Sequence, residues 1–188
     1  MPLRYFRLSE DVQAGSWYLG DPRDEQGQEV DDPWQFRAGR SLSVPVRLSI
    51  PIDEPGAALD FSTAGVGLTP VVHVRVASVF AELAPSDVQV IPVDIVGKPE
   101  QYVILVATKL VRCIDEQAST VQFWSEDDGL PEKVGQYYAV DHLRIDPTKV
   151  GATQVFRTEG WNLALIVSED LKEALERIHA TGVRFTEV

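Results

Sequence analysis

"WNLALIVSEDLKEALERIHATGVRFTEV", residues 161 to 188, reads as strand, helix, strand. The apolar run Trp161 to Val167 has the length of a buried strand. Ser168 then stands where a side-chain oxygen caps a helix, and Glu169 and Asp170 place negative charge against the positive end of the helix dipole. Leu171, Ala174, Leu175 and Ile178 recur at i, i+3, i+4 and i+7, so one face of the helix packs on a sheet while Glu169, Asp170, Glu173 and Glu176 face water. Gly182 fits the left-handed position that ends such a helix, and "VRFTEV" returns as a strand.

Working back toward the N-terminus, "DVQVIPVDIV" (87 to 96) and "QYVILVATKLVRCI" (101 to 114) are long β-rich runs joined by "GKPE", the pattern of a hairpin. Thr69 and Pro70 resemble the cap and first position of a second helix. Its apolar residues Val72, Val76, Val79, Phe80 and Leu83 fall at helical spacing and end before "APSD". Shorter strands are expected over Val121 to Trp124, Tyr137 to Ile145 and Gln154 to Arg157. Two helices among many strands give an α+β class: one domain over residues 1 to 188, mostly antiparallel sheet, with two main helices packed on it. At 188 residues the chain can bury roughly 70% of its unfolded surface, so no staples are needed.

The single cysteine forbids an intrachain disulfide and fits a reducing compartment. "MPLRYFRLSEDVQ" lacks the apolar core of a signal peptide, and no run approaches the roughly 18 apolar residues of a membrane helix. A soluble, cytoplasmic protein is therefore expected. Twenty-nine acids against 17 Lys and Arg give a net charge of −12. Such a surface repels phosphate backbones and anionic lipid, which argues against direct nucleic-acid or membrane binding and favours a basic partner.

The acids concentrate in two places. "GDPRDEQGQEVDDPW" (20 to 34) is a polar loop ending at Trp34 and Phe36. "SEDDGLPEK" (125 to 133) is an acidic turn between Phe123 and Trp124 on one side and Tyr137 and Tyr138 on the other. Carboxylates beside large rings suit a protein interface, where rings supply buried area and charges set orientation. Asp24, Glu25, Asp31, Asp32 and Trp34 in the first segment, with Trp124, Glu126, Asp127 and Asp128 in the second, are the candidate partner-binding residues. The competing reading puts the rings in the core and the acids in solvated turns.

No catalytic residue is singled out. Cys113 would need a base to become a thiolate, and His73, His142 and His179 are the histidines available. Asp115 and Glu116 would raise its pKa, and the alternation Val111, Cys113, Asp115 points the thiol to one face of a strand as a small buried hydrophobe. One cysteine and three scattered histidines give no zinc-ligand pair, and "SEDDGLPEK" lacks the alternating oxygens of a calcium loop. In "STAGVGLTP" there is no third glycine and no Lys-Ser/Thr pair, so the glycines serve a tight turn rather than a phosphate cradle. No metal or cofactor is expected.

"DPWQF", "DVQVIPVDI", "VRCIDE", "WSEDDGLPEKVGQY", "LRIDPTKVG" and "VFRTEGWNLALIVSEDLKEALE", taken in order, resemble an immunity-protein family that is abundant in myxobacteria and associated with bacterial polymorphic toxin systems. The likeness runs from about Tyr5 to Val188. It implies an antitoxin that protects its own cell by binding a partner toxin, often a nuclease, and it supplies no catalytic residue. An acidic protein suits that task, because a nuclease site must be basic to hold phosphate. The alternatives are an enzyme or small-ligand binder with a cleft near Cys113 and His142, and a scaffold protein. The oligomeric state is left open.

Overall fold

The computed structural model describes residues 3–188. The chain opens with β1 (Tyr5–Glu10) and β2 (Tyr18–Leu19), then runs through β3 (Leu48–Ile50), β4 (Ile52–Glu54), β5 (Phe61–Ala64) and β6 (Thr69–His73) into helix α1 (Val74–Leu83). There follow β7 (Val88–Ile95), β8 (Tyr102–Ala107), β9 (Leu110–Val111), β10 (Thr120–Phe123) and β11 (Tyr137–Asp141). The last stretch is β12 (Val155–Thr158), β13 (Trp161–Ser168), helix α2 (Glu169–Arg177) and β14 (Val183–Glu187).

Strands β14-β1-β13-β12-β9 make one five-stranded sheet and β3-β7-β8-β6-β5 another, with β2–β4 and β10–β11 as two-stranded ribbons. The parallel pairs are β9 with β12 and β3 with β7; the other paired strands run antiparallel. The protein is α+β, with sheet dominant. Both sheets repeat one plan. A hairpin (β5–β6 or β12–β13) runs straight into a helix, and the strand after the helix returns two places away, with an antiparallel strand between them. In the first sheet that middle strand is β1, from the opposite end of the chain.

Three apolar clusters follow from the alternation of the strands. The central one gathers Phe6, Leu8, Leu165 and Val167 from the first sheet, Val72, Val103 and Leu105 from the second, and Val76, Phe80, Leu171 and Leu175 from the helices. Trp17, Phe36, Ile91, Ile104 and Val106 belong to a second cluster on the far face of the second sheet. Tyr5, Cys113, Leu143, Phe156 and Ile166 form a third on the far face of the first sheet. Every residue of β8 is buried because alternate side chains enter two cores, which is why that stretch reads as an unbroken apolar run.

Ser168 caps α2 as expected, accepting the Leu171 amide at 3.4 Å, and β7 and β8 form the expected hairpin. Four expectations need correction. The helix after Thr69 starts at Val74: β-branched Val71 and Val72 extend a strand between β5 and β8, and His73 Nδ1 accepts the Arg75 amide to cap the helix. The run from Gln101 to Ile114 is not one strand, since at Thr108 and Lys109 the chain leaves the second sheet for β9 of the first. The strand begun at Tyr137 stops at Asp141, where His142 turns left-handed (φ 48°). The left-handed residue just after α2 is His179 (φ 52°), not Gly182. Gly182 (φ 80°) lies in the following turn against β5, where a Cβ would stand 2.2 Å from the Phe61 carbonyl oxygen.

Candidate functional site

Cys113 is fully buried in the third cluster, its segment pinned by the Ile114–Ile145 bridge and by the Asp146 amide donating to the Cys113 carbonyl at 2.8 Å. Burial pushes the thiol up to about 11, with Asp146 adding to the rise and Lys149 opposing it. The sequence suggested Asp115 and Glu116 as the acids responsible; desolvation leads instead. Asp115 spends its Oδ1 on the amides of Gln117 and Ala118. A thiol so held is a packing group, so Cys113→Ala should cost on the order of 1 kcal/mol and leave any partner affinity unchanged. Chemical denaturation checks the first value; rapid thiol labelling of the folded protein at neutral pH would contradict the assignment.

The three histidines are dispersed. His73 caps α1, while His142 and His179 are exposed and left-handed at the ends of elements. Among the described residues no group of three or more His, Cys, Asp or Glu converges as a metal site. Nor, among them, is any helix long and apolar enough to cross a membrane. A cleft of about 740 Å³ does lie beside Cys113, between the segment at 112–117, the β10–β11 ribbon, Asp146 and Lys149, and the β12–β13 turn. Arg112, Glu116, Tyr137 and Glu159 line it, and neither Cys113 nor His142 does. The Tyr137 hydroxyl donates to Glu116 Oε1 at 2.7 Å, and burial followed by that carboxylate pushes the phenol up to about 12.

The β10–β11 ribbon carries the second acidic turn away from the sheet. Val121 and Tyr137 pack into the third cluster, while Phe123 and Tyr138 are exposed. Phe123 stacks on Tyr137 with centroids 5.2 Å apart, and Trp124, half-buried, meets Tyr138 edge-on at 4.7 Å beneath the Lys133 ammonium. Asp128 is committed locally. It accepts the Ser125 amide at 2.7 Å and the Ser125 hydroxyl at 2.9 Å, which holds its carboxyl below the usual range. Glu126 and Asp127 are exposed, and among the described residues their side chains make no hydrogen bond or ion pair.

The first acidic segment lies over the other sheet. Asp24 closes its turn by accepting the amides of Gln26 and Gln28, and Asp32 caps a short 3-10 helix, Pro33–Arg37, by accepting the Trp34 amide at 3.0 Å. Glu25 and Asp31 are exposed. Phe36 is buried in the second cluster, whereas Trp34 is 51% exposed. The two segments therefore sit on outer layers of different sheets, over separate cores.

Sequence reasoning passed over the neighbour of Trp34. The turn of the β5–β6 hairpin, Gly65 to Leu68, presents Val66 at 66% exposure and Leu68 at 46%. Gly67 packs so tightly on the 3-10 helix that a Cβ would stand 2.2 Å from the Pro33 carbonyl oxygen, and Asp21 Oδ1 accepts the Val66 amide at 3.0 Å. Leu68 is left-handed (φ 50°), a conformation costing a non-glycine residue about 1 to 2 kcal/mol. Apolar residues on either side of Gly67 in "STAGVGLTP" were the available signal: in a tight turn they have little core to enter.

Compared with known protein families, residues 21–188 match the immunity protein family (Imm11), and the chain belongs to that family. No curated protein matches the chain.

Proposed function

We propose that this immunity-family chain is a cytoplasmic, non-enzymatic antitoxin of a polymorphic toxin system that binds a basic, nuclease-type partner and occludes it. The observation that supports this best is the exposure of large rings beside uncommitted carboxylates. Trp34 follows Asp31 by three residues along the chain, and Phe123 and Tyr138 stand on the two strands that bracket Glu126 and Asp127. Aromatic anchors with a charged rim are the anatomy of a tight protein interface, and the net charge of −12 suits a partner whose own site must hold phosphate.

The experiment is binding kinetics against the inactivated toxin domain encoded beside this chain's gene, at low and moderate salt, with rescue of toxicity in cells. Asp24, Asp32 and Asp128 hold their own turns together, so the informative charge reversals are Glu25→Lys with Asp31→Lys, and Glu126→Lys with Asp127→Lys. Each pair should slow association by roughly tenfold at low salt and flatten its salt dependence, because rim charges steer encounter. Tight binding indifferent to both pairs would remove the acidic occlusion. Absence of binding and of rescue would remove the antitoxin reading altogether.

The cleft of about 740 Å³ favours a second reading, a small-ligand binder, in which Arg112 and Glu159 would orient the ligand against Tyr137. Saturable protection from heat by a small molecule, lost in Tyr137→Ala, would support it.

A further inference from the structure

We propose that the tip of the β5–β6 hairpin, together with the adjoining 3-10 helix, is the central docking face for a basic protein surface that inserts an apolar side chain, with Val66, Leu68 and Trp34 as its contacts. The inference rests on the antitoxin reading and fixes where the partner is held. Val66 and Leu68 flank Gly67, and Trp34 follows Pro33, so the tight Gly67–Pro33 contact brings the three exposed apolar residues to one place. That contact is built. Arg37 Nη1 donates to the Gly67 carbonyl at 3.4 Å, Asp21 binds the Val66 amide, and Asp32 caps the helix that carries Trp34.

Two features set this patch apart from ordinary exposed apolar residues. Leu68 holds a left-handed backbone where glycine would relax, and nearly half of the residue stays in water, so it gains neither full burial nor an easy conformation within this chain. A partner that covers the leucine would supply the missing burial. Charge selects that partner's chemistry: between residues 21 and 37 stand Asp21, Asp24, Glu25, Glu29, Asp31 and Asp32 against Arg23 and Arg37. Asp21 and Asp32 stand directly against the patch, and an apolar centre beside so acidic a segment matches a basic surface with an apolar protrusion and repels an acidic one.

The test uses the full chain and the inactivated neighbour-encoded toxin domain. Leu68→Gly removes the side chain and the strained backbone together, so the free protein should melt at the same temperature or higher. Its dissociation from the toxin should nevertheless quicken at least tenfold. Val66→Ser should do the same, the two together should exceed a hundredfold loss of affinity, and Val96→Ser, an exposed apolar residue in the β7–β8 turn at the opposite end of the second sheet, should change affinity less than threefold. Wild-type binding that survives Leu68→Gly and Val66→Ser would overturn this docking face while leaving the antitoxin reading in place, and so would a Phe123→Ser loss larger than both, which would move the centre to the ribbon. If the wild-type chain bound no toxin, the reading beneath the inference would fall, and the inference with it.

Discussion

Deleting residues 183–188 should cost about 3 to 4 kcal/mol and lower the melting temperature by roughly 10 °C, leaving a protein prone to aggregate. β14 is an edge strand paired only with β1, yet it seals the central cluster: Val183 and Phe185 pack against it, and Val188 packs on the third. Both side chains remain half-buried, which puts the loss at the lower end of what two large apolar residues can contribute. The surface pairs Arg4–Glu187 and Arg184–Asp11 also vanish, but exposed ion pairs add little. The larger consequence is topological. β1, whose sheet partners both come from the other end of the chain, would become a bare edge over the apolar face of α2, open to pairing with another molecule. Calorimetry and light scattering on the truncated chain check both effects, and unchanged melting would mark the segment as dispensable.

The C-terminal strand-helix-strand was legible because each of its signals is local: a cap at Ser168, a helical stripe from Leu171, and a short return. The β7–β8 hairpin was legible for the same reason. The start of α1 was not, because Thr69-Pro70 is a fair helix opening and only pairing with β8, some thirty residues on, decides that Val71 and Val72 stay extended. β1 gives no cue either, since its partners β13 and β14 lie at the other end of the chain. The candidate surface divides along the same line. Acids and rings can be counted in sequence, so the composition of both segments was readable. Which acids are spent on their own turns, as Asp24, Asp32 and Asp128 are, depends on backbone amides that only the folded chain brings within reach. The apolar patch at Val66 and Leu68 escaped notice because it needs a contact between Gly67 and Pro33, 34 residues apart in sequence and joined only by the fold.

Phe80→Ala should destabilise by about 3 to 5 kcal/mol, the upper range for a buried ring, and do so in one cooperative transition. Phe80 has no exposed surface, and α1 packs on α2 as well as on β6, β7 and β8. The central cluster is lined by both sheets, so the space left by the ring can close only if one sheet shifts toward the other, and the strands that would move also border the second and third clusters. A cavity that cannot collapse carries the full cost. Two indoles make this checkable. Trp17 is buried in the second cluster with its Nε1 donating to Ser62 at 2.8 Å, and Trp161 packs on the third, so each reports on the far face of a different sheet. If residues 3–188 fold as one unit through the central cluster, single-tryptophan versions of the Phe80→Ala protein should show coincident urea midpoints by fluorescence, both lowered and with an unchanged slope. Separated midpoints would mean that the two sheets unfold independently, each with its own acidic surface, and that the pair of helices joins two domains.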